Sequence, residues 1–266
     1  MGETPERIEP AEHAGGRELP SGTKLFHGQY TIENYLSHGG FGITYLARDS
    51  LNRLIVIKEC FPDAICRRVD QSVRVRSRTH VETFRDIIAL FIDEAHSLAR
   101  LSHPNIVGVH QIFEDNETAY LAMDFIEGHD LLEMSEGAEP IAPVMLERLA
   151  VKLLSAIEYL HGEGLLHRDI APDNILVSKD NQPILIDFGA ARGLAAQTAD
   201  GLGLTRTVKD GYSPQEFYAK TGEQHESSDL YSLAASLYHV MSGQPPASAQ
   251  QRLNAIATEE PDPLVP

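Results

Sequence analysis

The sequence predicts an α+β fold in two lobes, a small strand-rich lobe followed by a larger, mainly helical one. Three observations predict it. Short apolar–polar alternations broken by glycine crowd the first part of the chain. One long amphipathic stripe at about residues 82–101 interrupts them. From about residue 130 onward the apolar spacing becomes helical.

Residues 1–21 are rich in Glu, Pro and Gly and poor in apolar side chains, which reads as a disordered leader. Tyr30-Thr31-Ile32, Ile43–Ala47 and Leu54–Ile57 read as three short strands, with a glycine turn between the first two. Phe84, Ile87, Ile88, Phe91, Ile92, Ala95, Leu98 and Ala99 then recur at helical spacing, and His103-Pro104 stops that helix. Strand patterns return at Ile106–Phe113 and Ala119–Phe125, with Asp115-Asn116-Glu117 turning between them. Leu146, Leu149, Ala150, Leu153, Leu154, Ile157 and Leu160 form a second helical stripe. A third helix runs from about Ser228 to Met241 and ends at Gly243-Gln244-Pro245-Pro246. The predicted division is a leader (1–21), a first lobe (22–123), a hinge (124–129) and a second lobe (130–266). No internal repeat is evident.

At 266 residues the chain has room for both lobes, and 42% hydrophobic with 23% charged residues places it among globular proteins. No apolar run is long enough to span a bilayer, and residues 1–20 lack the apolar centre of a signal peptide. Cys60 and Cys66, the two cysteines, make neither a disulfide framework nor a zinc site. A cytoplasmic setting is expected, with membrane attachment only through sequence beyond Pro266. The net charge of −17 argues against nonspecific nucleic-acid binding, which needs a basic face. A nucleotide remains compatible if the few Lys and Arg are concentrated locally.

Gly39-Gly40-Phe41-Gly42 falls in a strand–turn–strand, where glycines let backbone N–H groups approach phosphate oxygens. By itself this is equally a plain hairpin turn. Leu36-Ser37-x-Gly39-x-Phe41-Gly42-x-Thr44 approximates G-x-G-x-x-G-x-V, with Ser37 replacing the first glycine. Lys58 closes the apolar run Ile55-Val56-Ile57 and needs a counter-charge if buried; Glu94, on the helix between Phe91 and Leu98, is the candidate. The plainer reading is a lysine snorkelling at a strand end.

The chemistry lies in His167-Arg168-Asp169, Asn174 five residues beyond the aspartate, and Asp187-Phe188-Gly189 after the strand Pro183–Ile186. Phosphoryl transfer asks for positioning and charge neutralisation. It needs one carboxylate to take the proton of an attacking hydroxyl and hard oxygen ligands for Mg²⁺. Asp169, Asn174 and Asp187 supply that set.

With these residues in order, the chain resembles a eukaryotic-type (Hanks-type) protein kinase domain. It is especially similar to the bacterial serine/threonine kinases that share Gly39–Ala47, Lys58-Glu59-x-Phe61-Pro62 and His103-Pro104-Asn105-Ile106-Val107. The resemblance spans about residues 22–246. It implies the bilobal kinase fold with its C-terminal helices incomplete, ATP and Mg²⁺ (or Mn²⁺) as cofactors, and a protein substrate offering Ser or Thr. Lys58 would bind the α/β-phosphates and pair with Glu94. Asp169 would be the catalytic base, and Asn174 and Asp187 would hold the metal. Met123 would stand beside the adenine, Asp124 and Ile126 would face its edge, and Asp130 would meet the ribose. Thr44, Val56 and Leu176 would sandwich the ring. Leu98, Val109, His167 and Phe188 would stack as a spine on Asp229. Arg168 would receive a phosphate on Thr198, Thr205 or Thr207, the last two preferred.

Departures from the family pattern sharpen these expectations. Ala171 stands where serine/threonine kinases carry a lysine that neutralises the transferring phosphoryl group, and Asp173 is not the arginine that tyrosine kinases use instead. Counting back from Glu216 puts Lys209 where the family has a threonine near the catalytic loop. Lys209 is therefore a candidate to replace the missing ammonium, against the plainer reading of a solvent-facing loop lysine. Ser213-Pro214-Gln215-Glu216 stands for Ala-Pro-Glu. The link between Lys58 and Glu94 is longer than usual and carries Arg67, Arg68, Arg74, Arg76 and Arg78. It reads as a solvated hairpin, or as a docking site for an acidic or phosphorylated partner. Two other readings stand beside the kinase: a nucleotide-binding pseudokinase scaffold, favoured by Ala171 and Ser37, and an enzyme phosphorylating a small metabolite.

Overall fold

Antiparallel strand pairing dominates the first of two units in the computed structural model, which describes residues 16–137, 140–189, 208–219 and 222–264. Among those residues the first unit holds 16–99 and 109–125, and the second holds 100–108 and everything from 126 onward. Strands β1 (Lys24–Leu25), β2 (Tyr30–Gly39), β3 (Gly42–Asp49), β4 (Leu54–Cys60), β7 (Val109–Asp115) and β8 (Thr118–Asp124) form one sheet in the order β1-β2-β3-β4-β8-β7. β5 (Cys66–Val69) and β6 (Ser72–Val75) make a separate hairpin, followed by helix α1 (Val81–Leu98).

Register decides which side chains share a face, because successive residues of a strand point to opposite sides. The rows Thr44–Lys58–Leu121 and Leu46–Val56–Met123 lie on one face. Ile43–Glu59–Tyr120 and Tyr45–Ile57–Ala122 lie on the other. Helix α1 buries Phe84, Ile87, Phe91, Ala95 and Leu98, packs against β7 and β8, and ends at Leu98 rather than near residue 101.

Two sequence expectations are corrected in this unit. The expectation of a disordered leader to residue 21 does not hold for residues 16–21, where Leu19 is buried with its N–H donating to Tyr45 Oη at 3.0 Å. The arginine-rich link is a hairpin but not a wholly solvated one, since only 3% of the Arg68 side chain is exposed. Arg74 pairs with Glu117, and Arg76 lies 3.7 Å from Asp63.

The second unit contains β9 (Gly128–Asp130), α2 (Leu131–Ser135), α3 (Pro143–Gly162), β10 (Ile175–Ser178), β11 (Pro183–Leu185), α4 (Glu226–Ser242) and α5 (Ala249–Ala257). Its small sheet runs β11-β10-β9. The expected strand start at Ile106 belongs here instead. Ile106 bridges to Leu185, Val107 N donates to Leu185 O at 3.0 Å, and Asn105 Nδ2 donates to Pro183 O at 2.6 Å. Helix α3 opens with Pro143 at its first turn and buries Leu146, Leu149, Leu153, Ala156, Ile157 and Leu160. Leu154, expected on that stripe, is exposed. Helix α4 is closed by Gly243 in the left-handed conformation, and its buried face is largely polar: Ser228, Asp229, Ser232, Ser236 and His239. Leu230 and Met241 on α4, and Leu253 and Ile256 on α5, are exposed. Among the described residues no helix is long and apolar enough to cross a membrane.

Candidate active site

In the first unit Gly39 pairs with Gly42, so Gly40 and Phe41 form a two-residue turn between β2 and β3. Ser37 opposes Thr44 just past an irregularity in β2. The three glycines differ in what they do. Side chains at Gly39 and Gly40 would meet nothing within 4 Å, so this side of the turn is open to a ligand. At Gly42 a Cβ would come within 2.7 Å of the Glu59 carbonyl oxygen, so Gly42 is required by packing against β4. Backbone bonds from Phe61 N to Phe41 O (2.9 Å) and Asp63 N to Gly40 O (3.2 Å) tie the turn to the segment after β4.

Thr44, Val56, Lys58 and Met123 share one sheet face, with Met123 buried and the others half-buried. Asp124 ends β8 and meets His110 Nε2 at 2.8 Å. Glu94 is half-buried on α1. Leu98 is buried on the same helix, and Val109 begins β7 half-buried.

In the second unit Asp229 organises the segment around Asp169. Its Oδ2 accepts from His167 N and its Oδ1 from Arg168 N, each at 2.9 Å, and His161 Nε2 lies 2.9 Å from Oδ2. That grip holds Arg168 at φ 65°, a conformation a non-glycine residue adopts only when its surroundings dictate it. His167 is fully enclosed. Its Nε2 donates to Ile186 O at 3.1 Å while Nδ1 accepts from Asp169 N at 3.3 Å, which specifies the neutral tautomer protonated on Nε2. Burial holds its pKa below the ordinary histidine value. The Phe188 ring packs 4.4 Å from the imidazole.

Asn174 Nδ2 donates to both Asp169 O (2.7 Å) and Asp169 Oδ2 (2.9 Å). The loop is joined to the Asp187 turn by Ile186 N to Asn174 O (3.1 Å) and Gly189 N to His167 O (2.9 Å). Asp187 takes φ 58°, and a Cβ on Gly189 would press on Asp169 Cβ at 3.0 Å. Asp169, Asn174 and Asp187 are thus brought together. With Nδ2 of Asn174 engaged, its Oδ1 is the oxygen it has to offer a cation. Among the described residues no group of three or more His, Cys, Asp or Glu could hold a metal. The oxygens of Asn174 and Asp187 are hard donors, the kind a divalent cation takes.

Lys209 Nζ stands 3.7 Å from Asp169 Oδ1 and 2.8 and 2.9 Å from the two oxygens of Asp173. Its backbone is held in a tight turn: Lys209 N donates to Ser213 Oγ, while Tyr212 N and Ser213 N donate to Lys209 O. Ala171 is wholly enclosed. Asp173, named in the sequence only as a departure from an arginine, accepts from this ammonium with both oxygens. Its signal was its own departure from the family arginine. Glu216 accepts from Ser228 Oγ at 2.5 Å, another partner unread in the sequence.

Asp130 caps α2, its Oδ1 accepting from Glu133 N at 2.8 Å, and burial raises its carboxyl pKa. Leu176 pairs with Asp130 across β10 and β9, and Ile126 is half-buried. Thr198, Thr205 and Thr207 lie outside the described residues. Among the described residues Arg168 Nε is buried without a hydrogen-bond partner.

The sequence matches the protein kinase domain family over residues 30–262. It is similar to serine/threonine-protein kinase PknE of Mycobacterium bovis, 29% identical over 239 residues, covering 89% of this chain and 38% of that protein. It is also similar to serine/threonine-protein kinase PkaA of Streptomyces coelicolor, 31% identical, covering 88% of this chain and 43% of that one. The chain thus spans about two fifths of the length of these relatives. Among solved structures it resembles the apo form of PpkA-294, with TM-score 0.77, 34% identity, and coverage of 93% of this chain and 89% of that one. A further likeness, to the kinase domain of Mycobacterium tuberculosis PknI, has TM-score 0.63 at 23% identity, covers 91% of this chain and 86% of that one, and speaks for the fold alone.

Proposed function

The chain belongs to the protein kinase family, and on that premise we propose that it transfers the γ-phosphoryl group of ATP to a serine or threonine hydroxyl of a protein. The observation that carries the reading is the Asp169–Asn174 pair, hydrogen-bonded together and joined through backbone bonds to the Asp187 turn. Asp169 accepts the hydroxyl proton as that oxygen attacks phosphorus, leaving a phosphoester and ADP. Asn174 and Asp187 would hold Mg²⁺, or Mn²⁺ in its place; the ion, when bound, neutralises phosphate charge. Ser37, Gly39, Gly40, Gly42 and Lys58 hold the phosphates, with Lys58 steadied by Glu94. Thr44, Val56, Met123, Asp124, Ile126, Asp130 and Leu176 receive the nucleoside. Lys209 supplies the positive charge that Ala171 does not, a reading supported by its 3.7 Å approach to Asp169.

Further roles follow from the same reading. Thr205 and Thr207 are sites of autophosphorylation, with Arg168 their counter-charge. Arg67 and Arg74, opposite one another on the exposed side of the β5–β6 hairpin, favour an acidic or phosphorylated partner. The domain works in the cytoplasm, in keeping with two buried free cysteines.

The test is incorporation of radiolabel from [γ-³²P]ATP with Mg²⁺, wild type against Asp169→Asn. Labelling by wild type alone supports the kinase. Binding of Mg·ATP without transfer to any offered protein supports the pseudokinase scaffold instead.

A further inference from the structure

The sheet face opposite Lys58 carries a carboxylate with no part in phosphoryl transfer. Glu59 is the immediate neighbour of Lys58, points to the other side of β4, and is 0% exposed. Tyr45 Oη donates to its Oε2 at 3.0 Å and Tyr120 Oη to its Oε1 at 2.6 Å. Arg68, from the inserted hairpin, grips both oxygens, with Nη1 3.1 Å from Oε1 and Nη2 on Oε2. The same guanidinium donates from Nε to Arg17 O and from Nη1 to Gln71 O, and lies over the Phe61 ring at 5.1 Å. One buried ion pair therefore gathers β4, the β5–β6 hairpin and residues 17–19 of the N-terminal segment. The phrase Lys58-Glu59-x-Phe61-Pro62 records it: Glu59 is the acceptor and Phe61 the ring beneath the arginine.

This assembly continues into the glycine turn. Gly42 lies against the Glu59 carbonyl, Phe61 N and Asp63 N bond to Phe41 O and Gly40 O, and Arg17 Nη1 bonds to Asp63 Oδ2 at 2.6 Å. Beyond the β2–β3 and β3–β4 ladders that flank it, these bonds reach the turn from outside the hairpin. A cavity of about 280 Å³, lined by Arg17, His38, Gly39, Ile43, Phe61 and Asp63 among others, lies beside it, and Gly39 and Gly40 have open space where a side chain would be. On the open side of the turn, at Gly39 and Gly40, its placement depends on these anchors rather than on packing.

We propose that the Glu59–Arg68 pair is a positioning device for nucleotide binding: it clamps the hairpin and the N-terminal segment behind the sheet and so sets where Gly40–Gly42 meet the phosphates. This rests on the reading of that turn as the phosphate cradle of ATP. Breaking only one partner would strand a buried charge, so the informative variant removes both, since a hydrophobic or neutral replacement of a whole buried pair is often neutral for stability.

The experiment measures Kd for Mg·mant-ATP and for adenosine, together with Tm, in wild type, Glu59→Gln/Arg68→Met and Asp63→Ala. Adenosine lacks phosphates, so it reports general damage to the nucleoside site and is blind to the turn. The expected result is a loss of about fivefold or more in ATP affinity for the double variant, and a smaller loss for Asp63→Ala, with adenosine affinity unchanged. ATP affinity within about twofold of wild type in both variants, or equal losses for ATP and adenosine, overturns the proposal. If the double variant does not fold, Arg68→Lys decides: it keeps a positive charge for Glu59 but lacks the fork that also reaches Arg17 O and Gln71 O, and an ATP affinity unchanged there overturns the proposal. A wild type that binds no Mg·ATP removes the cradle reading and the proposal with it. A wild type that binds normally beside unaffected variants removes the proposal alone.

Discussion

Asp229 in the second unit and Glu59 in the first are both carboxylates with almost no exposed surface, and they are satisfied in opposite ways. Asp229 accepts from two peptide N–H groups of the very loop that carries Asp169, with His161 beside them. Glu59 accepts from side chains alone: two tyrosines of the sheet and an arginine of the inserted hairpin. An anchor on peptide groups dictates backbone conformation at the reacting centre, down to the left-handed φ of Arg168. An anchor on side chains gathers elements that could exist separately. Both tolerate burial for the same reason, that each carboxylate oxygen accepts at least one hydrogen bond. They differ in what would fail first.

Asp229→Ala offers the harshest test of that difference. It leaves buried N–H groups on His167 and Arg168 without acceptors, each costing about 1–3 kcal/mol. Phosphotransfer is expected to fall by at least about 100-fold, because the loop no longer holds Asp169 where it is needed. Activity and Tm measured on the same preparation check this. A variant that keeps full activity would break the comparison from the Asp229 side.

Glu59→Gln alone is expected to cost about 3–5 kcal/mol of stability, since Arg68 would stay buried without its counter-charge. Adding Arg68→Met should restore most of it, whereas no second change at a side chain can rescue the lost peptide acceptor at Asp229. Urea denaturation of the three proteins reads this directly. The exposed pair Arg74–Glu117 sets the scale from the other end: Arg74→Ala should move Tm by about a degree or less.

Lys209 separates charge supply from loop anchoring. On the proposed role of Lys209, Lys209→Ala and Lys209→Met are expected to lower kcat about 10- to 100-fold, with little change in Tm because the side chain is partly exposed. Near-normal kcat in both would return Lys209 to an ordinary loop residue. Asp173→Ala should fall between, since it frees Lys209 without removing it.

The smallest effect is one of pH. Burial lowers the pKa of His167, and of His239 and His103 in the same direction, below the ordinary 6.5. Below that value the unfolded chain takes up protons that the folded chain refuses. The contribution of neutral histidine is therefore complete above about pH 6.5 and is lost progressively as pH falls further. Tm should be lower at about pH 5.5 than at about pH 7.5, and the His167 imidazole resonances should stay those of the Nε2–H tautomer across the upper part of that range.

Much of this protein was legible before any coordinates. Period-two alternation around Gly39–Gly42 marked the hairpin, and the stripe through Phe84, Phe91 and Leu98 marked the helix, because each pattern is set by geometry within a few residues. Asp169 and Asn174 were legible together for the same reason: five residues of loop bring them into contact. What only the tertiary structure decided was which distant groups meet. Lys209 reaches Asp173 across 36 positions. Residues 105–107 join the strand ending at Leu185 rather than the strand they precede. Leu19 is buried although its neighbours in sequence are Glu, Pro and Gly. In the sequence Glu59 stands only as one residue of the phrase Lys58-Glu59-x-Phe61-Pro62, and its need for a partner depended on whether anything covered the far side of β4. The physical reason is desolvation: whether a charge needs a partner is settled by what surrounds it in space, and local periodicity carries no record of that.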